Sequence, residues 1–247
     1  MLAIIGGSGL DALAGLTEVR RVPVPTPYGE PSAPVQHALL GGHAVLFLPR
    51  HGEQHQFAPH LINYRANLWA LRACKATRVL AVATVGGISA DFGAGVLSVP
   101  DQIIDYTWGR ESTYSDRATD VVRHIDFTQP FDTPVRDRAL RAAARAGVSL
   151  RDGGVYAATQ GPRLESAAEI RRLARDGAEI VGMTGMPEAA LARELGLPYA
   201  MLALVVNAAA GTGASASAID LAAAAQLARA RMAQVLQILK EMAADGD

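Results

Sequence analysis

The stretch from Thr159 to Gly211 contains TQGPRLES (Thr159–Ser166), VGMTGMPEAALARELGLPYA (Val181–Ala200) and VVNAAAG (Val205–Gly211). Each motif leaves a short β-rich run, at Val155–Ala158, Glu179–Met183 and Tyr199–Val206. The first two lead on into amphipathic helical patterns at Ser166–Asp176 and Pro187–Leu195. Repeated strand, turn and helix is α/β grammar, and open α/β sheets hold ligands at strand ends. Three neighbouring strand ends therefore present a carboxylate, Glu165, a Met183–Thr184 pair, and an amide, Asn207.

The same alternation extends outward. Further strands are expected at Leu2–Ile5, Ala44–Leu48, Arg78–Val85 and Gln102–Tyr106, and further helices at Pro59–Cys74 and Pro134–Ala146. Ser217–Ala244 keeps a helical period to the end, with Asp220 near its start, where a carboxylate suits the helix dipole. Small residues at Ala208–Ala218 and Ala222–Ala225 permit close approach of backbone or ligand. With no repeat and no linker, the reading is a single α/β domain over residues 1–247.

A net charge of −1 supplies no basic field for a nucleic acid or an anionic membrane, so a small-molecule ligand is favoured. The single cysteine, Cys74, lies in an apolar helical pattern and has no internal partner, which fits a reducing cytoplasm. LAIIGG at the start lacks the basic region and cleavage site of a leader. No apolar run reaches the ~18 residues of a membrane span.

IIGGSGL (Ile4–Leu10) runs a strand into a Gly-rich turn whose backbone N–H groups and Ser8 hydroxyl suit an anion, although a plain tight turn reads the same way. It has neither G-x-G-x-x-G spacing nor a P-loop lysine. In PRHGEQHQFAPHLINYRAN (Pro49–Asn67), Arg50 and His51 follow the strand Ala44–Leu48, where a guanidinium beside an imidazole can neutralise phosphate. A solvated loop is the bland alternative. His51, His55 and His60 stand four and five residues apart with no cysteine nearby, a pattern unlike zinc sites, so no metal is expected. Glu165 and Thr184 fall at helix starts and fit ordinary caps as well as ligand contacts. Met183 fits a core position too, and Asn207 needs partners from turn backbone or a ligand.

Taken in order, IIGGSGL, PRHG…H…PH…NYRAN, VGGIS (Val85–Ser89), GPRLES, VGMTGMPE and VVNAAAG resemble the trimeric purine nucleoside phosphorylases along nearly the whole chain, in particular their methylthioadenosine phosphorylase branch. The resemblance implies a central mixed, twisted, partly barrel-like sheet flanked by helices, a homotrimer, and attack of inorganic phosphate on C1′ of a purine nucleoside. It implies no cofactor, phosphate being a co-substrate. By motif position, Ser8, Arg50, His51, Thr84 and Thr184 correspond to phosphate-binding residues, with Ala83 serving through backbone. Met183 corresponds to a ribose contact. Asn207 and His51 are the expected catalytic residues, and His124 in HIDFTQPF (His124–Phe131) resembles a residue lent by a neighbouring subunit.

Two departures from the branch pattern bear on the base. The adenosine-type branch has TDYD where this chain has VNAA (Val206–Ala209), so Asn207 and Ala209 replace aspartates on either side of Ala208. Glu165 stands where that branch has serine and where inosine and guanosine phosphorylases have glutamate. An asparagine can donate to O6 and accept from N7–H, and a glutamate accepts from N1–H, which 6-oxopurines carry and adenine lacks. Ile219, with Ala222 and Ala223, is expected to form an apolar 5′ pocket. Burying a methylthio group there is worth ~1.5–3 kcal/mol, and a 5′-hydroxyl would lack a partner.

The expectation is phosphorolysis of the 5′-methylthio nucleoside of hypoxanthine to hypoxanthine and 5-methylthioribose 1-phosphate. Alternatives are a phosphorylase for inosine and guanosine, a methylthioadenosine phosphorylase, a non-catalytic nucleoside-binding protein on the same fold, and a dinucleotide oxidoreductase. The last is disfavoured by the missing glycine fingerprint.

Overall fold

Strand alternation sorts the apolar side chains of the central strands onto two faces. In β1 (Leu2–Gly6), Ala3 and Ile5 enter one core, and Leu2 and Ile4 the other. In β5 (Arg78–Gly87), Val79, Ala81, Ala83 and Val85 lie opposite Leu80 and Val82. In β11 (Tyr199–Ala208), Met201, Ala203 and Val205 lie opposite Ala200, Leu202 and Leu204. A sheet apolar on both faces must be covered on both. Residues of α1 (Tyr64–Ala73) and α4 (Gly185–Glu194) complete the first core, and those of α2 (Thr133–Arg145) and α5 (Leu221–Ala244) the second. Ile170 and Leu173 of α3 (Ala167–Arg175) close a smaller cluster with Val181 and Ala209.

The computed structural model describes residues 1–10, 12–116 and 121–246. Among them the sheet has eleven strands. Its main path runs β2 (Leu16–Val22), β3 (Val35–Leu40), β4 (His43–Pro49), β1, β5, β10 (Ile180–Gly182), β9 (Val155–Ala158) and β7 (Gln102–Asp105). Off this path β11 lies on β5, β6 (Leu97–Val99) on β11, and β8 (Arg151–Asp152) on β6. No helix among the described residues is long and apolar enough to cross a membrane.

β5 positions the site because its two edges differ. β11 runs parallel along one edge from Val79 to Gly87. The other edge is shared: β1 runs parallel to Arg78–Ala81, and β10 runs antiparallel to Gly86 and Gly87. Residues 82–85 pair with neither, so the sheet splits there into a wedge.

Side-chain caps fix most of the helix starts. Asn63, Asp132, Ser166 and Asp220 each accept a backbone N–H in the first turn of their helix. The helical pattern expected from Pro59 divides into a 3₁₀ turn at Pro59–Leu61 and α1, because Asn63 caps the latter. β2, β3, β6 and β8 escape the sequence pattern. β2 (LTEVRRV) is largely exposed and paired only with β3, so charge covers it where alternation would mark a buried strand. β6 and β8 are too short to show a period.

Candidate active site

The wedge beside residues 82–85 forms part of a cleft of about 710 Å³. Ser8 reaches it from the turn after β1, Arg50 and His51 from the end of β4, and Ala83 and Thr84 from β5 itself. Glu165 reaches it from the loop after β9, Met183 and Thr184 from the end of β10, Asn207 and Ala209 from the end of β11, and Ile219 from just before α5. The sequence candidates outside the lining are Ala208, Ala222, Ala223 and His124. His124 is exposed, on the segment leading to α2.

At the wedge's apex the turn after β1 packs so closely that a Cβ on Gly7 would lie 2.5 Å from the Val82 carbonyl and 3.0 Å from Arg50 Nη1. The Leu10 N–H donates to Gly7 O at 2.8 Å, so the segment is both a tight turn and a wall of the cleft. Arg50 is fully buried. Its Nε and Nη2 donate to Glu188 at 2.7 and 2.8 Å, and Nη1 donates to the Val82 carbonyl at 3.0 Å. The Tyr199 hydroxyl donates to Glu188 Oε1 at 2.8 Å. Burial alone would lower the Arg50 pKa, but the Glu188 carboxylate beside it reverses the direction and raises it. In sequence Glu188 is one residue of the Pro187–Leu195 helical pattern; its burial in α4 makes it Arg50's partner.

His51 Nδ1 lies 2.8 Å from the Phe57 carbonyl, and its ring stacks on His55 with centroids 4.4 Å apart. A carbonyl only accepts, so Nδ1 carries a proton, which fixes the tautomer of a neutral ring. No group of three or more His, Cys, Asp or Glu placed to hold a metal occurs among the described residues.

Glu165 is not the cap of α3. Ser166 and Glu169 form that capping box, and Arg163 and the Ser166 N–H hold the Glu169 carboxyl down to about 2. Glu165 instead accepts from Thr159 Oγ1 at 2.6 Å, leaving its second oxygen for another donor. A smaller cavity of about 390 Å³ shares Glu165, but cations around it are already engaged, Arg163 with Glu169 and Arg172 over the Tyr106 ring. Thr184, at the N-cap position of α4, makes no side-chain capping bond, and its N–H donates to the Tyr156 hydroxyl at 3.2 Å.

A bulge shapes the end of β11. Val205 pairs with Val85 but Asn207 with Gly86, so Val206 is an extra residue. Bulges re-aim side chains, and this one breaks the alternation just before Asn207. Asn207 Nδ2 donates to the Ala208 carbonyl at 2.7 Å, which orients the amide. Met183 packs against Gly161, where φ is +61° and a Cβ would meet Met183 Sδ at 2.4 Å.

At the opposite end, Leu221, Ala224, Ala225 and Ala228 line the cleft with Ile219. Their spacing of three, four and seven from Leu221 is one helix face. Ala222 and Ala223, expected beside Ile219, fall off that face and are exposed, a correction that follows from α5 starting at Leu221.

Arg110 joins two loops of the cleft. Its guanidinium donates to the carbonyls of Met183 and Met186 at 2.8 and 2.6 Å and of Thr159 and Gln160 at 3.2 and 2.8 Å. It ties the Glu165 loop to the Met183–Thr184 loop. An arginine read in sequence gives no sign of a carbonyl clamp, so nothing local singled it out.

The chain is similar to known proteins over most of its length. Residues 1–241 match the Phosphorylase superfamily. A protein of Xanthomonas campestris pv. campestris named "Probable S-methyl-5'-thioinosine phosphorylase" is 57% identical over 212 residues, covering 86% of this chain and 85% of that one. The S-methyl-5'-thioadenosine phosphorylase of Mycolicibacterium smegmatis is 46% identical over 222 residues, 89% of this chain and 82% of that one. The structure of methylthioadenosine phosphorylase from Schistosoma mansoni in complex with adenine superposes with a TM-score of 0.92 at 31% identity, over 98% of this chain and 90% of that one. Matched along nearly its full length in sequence and in fold, the chain belongs to the Phosphorylase superfamily.

Proposed function

We propose that this protein phosphorolyses S-methyl-5'-thioinosine to hypoxanthine and 5-methylthioribose 1-phosphate. The observation that carries the reading is one cleft with Glu165 and Asn207 in its wall and the apolar face of α5 beside Ile219 also lining it. Glu165, with one oxygen held by Thr159, offers the other as an acceptor for N1–H of a 6-oxopurine. Adenine would set a lone pair against it. Asn207, oriented by the Ala208 carbonyl, accepts from N7–H through Oδ1 and donates its second amide hydrogen to O6. A sulfur-linked methyl is matched by Leu221, Ala224, Ala225 and Ala228, apolar side chains that themselves offer a hydroxyl no partner.

In this reading phosphate lies at the wedge, held by Ser8, Arg50, His51, Thr84 and Thr184 and by the backbone at Ala83, with Met183 against the ribose. A phosphate oxygen forms the bond to C1′ as the C1′–N9 bond breaks. The electron pair leaves with the purine, whose anion takes one proton from water on a ring nitrogen to end as hypoxanthine. Positive charge builds at C1′ and negative charge on the base, so the chain's task is to align the reactants and stabilise the departing anion through Asn207. No nucleophilic side chain is needed. We assign the homotrimer that the resemblance to the trimeric phosphorylases implies, with His124, exposed and outside its own cleft, as the residue supplied across a subunit boundary.

Hypoxanthine release from the methylthio nucleoside with and without inorganic phosphate tests the reaction type. Release only with phosphate, one phosphate consumed per base, is expected. Release without phosphate would indicate hydrolysis, and binding without release would indicate a nucleoside-binding protein.

A further inference from the structure

We infer that Glu188 is a positioning residue of the phosphate site, acting through Arg50, an inference that rests on the phosphorolysis reading above. A guanidinium has five N–H donors. Two of those on Arg50 go to Glu188 and one to the Val82 carbonyl, leaving one hydrogen on each terminal nitrogen. Arg50 nevertheless forms part of the cleft wall, beside the turn that carries Ser8. The bidentate pairing holds the fork's plane, so the remaining donors have a fixed direction. Glu188 is itself held by the Tyr199 hydroxyl, and both partners of the ion pair are buried, at 0% and 1% side-chain exposure.

The pairing also sets charge. With Glu188 the pair is neutral. Phosphate is then held by directed hydrogen bonds and keeps its negative charge for bond formation. Removing the carboxylate while keeping Arg50 releases the fork into a low-dielectric interior, where an unpaired cation turns to whatever carbonyls it can reach.

The test is a double-mutant cycle with Glu188→Gln, Arg50→Gln and the double variant. It is read as the KM for phosphate, the KM for nucleoside, and the rise in Tm on adding inorganic phosphate. Glu188→Gln is expected to raise the phosphate KM about 10-fold or more with the nucleoside KM within about 2-fold, and to add nothing further in the Arg50→Gln background. Equal shifts in both KM values, or the same added factor in the Arg50→Gln background, would overturn the inference. The double variant replaces both charges together and so is expected to fold where Glu188→Gln alone is strained. Tyr199→Phe removes one bond to Glu188 and keeps its charge. It should raise the phosphate KM about 3-fold, and no change there also overturns the role. Wild-type protein that consumes no phosphate overturns the functional reading as well; wild-type turnover without this selectivity overturns only the role of Glu188.

Discussion

Arg110 Nη1 donates to the Met183 carbonyl at 2.8 Å, and the same guanidinium reaches the Thr159 and Gln160 carbonyls, so one side chain ties together two of the loops that line the cleft. Its Nε donates to Gln160 Oε1 at 3.1 Å. Arg110→Ala strands several partly buried carbonyls, at about 1–3 kcal/mol for each left unsatisfied. A lower urea midpoint and a kcat/KM reduced about 100-fold are expected. Arg110→Lys keeps the charge but not the fork and should restore little of either. Wild-type turnover in Arg110→Ala would show that the two loops hold their positions without it.

Asn207→Asp removes the amide hydrogen that we assign to O6. The aspartate accepts from a 6-amino group, so relative kcat/KM should move at least about 10-fold toward 6-amino nucleosides. Unchanged relative rates would take Asn207 out of base recognition.

Ile219→His places a polar group beside the apolar face of α5. The ratio of inosine to methylthioinosine turnover should rise, because a 5′-hydroxyl gains a partner and a methylthio group loses apolar contact. A constant ratio would mean that the 5′ end of the substrate lies elsewhere along α5.

Glu169 gives the pH dependence that is simplest to read. Its folded value of about 2 lies below the ordinary 4.5. Its contribution to α3 is therefore complete above pH 4.5 and is lost as pH falls from there toward 2. The side chain is 44% exposed, so solvent screening keeps the effect small. A carboxyl titration followed by NMR should place the Glu169 midpoint near 2, and Arg163→Ala should move it toward 4.5. A wild-type midpoint at 4.5 would contradict the pairing.

What could be read from sequence depended on locality. Asp220 at the start of α5 and the strand β9 at Val155–Ala158 follow from capping and β patterning within a few residues, and both stand where the sequence put them. The cleft-lining candidates were legible because motifs at strand ends converge whenever the strands share a sheet. Glu188 and Arg110 were not. Arg50 meets Glu188 across 138 residues of chain, and Arg110 meets Met183 across 73, pairings that only the completed fold creates. The bulge before Asn207 depends on the register of β11 against β5, which no periodicity within β11 encodes. The exposed β2 was hidden for the opposite reason, its apolar period being overwritten by the charges of an edge strand.

Initial phosphorolysis rates on methylthioinosine, inosine, guanosine and methylthioadenosine, taken side by side at fixed phosphate, test the central claim most directly. Methylthioinosine should lead by a wide margin, since it alone satisfies both Glu165 and the apolar α5 face. Methylthioadenosine in the lead would contradict the roles of Glu165 and Asn207, and inosine or guanosine equal to methylthioinosine would contradict the apolar 5′ pocket.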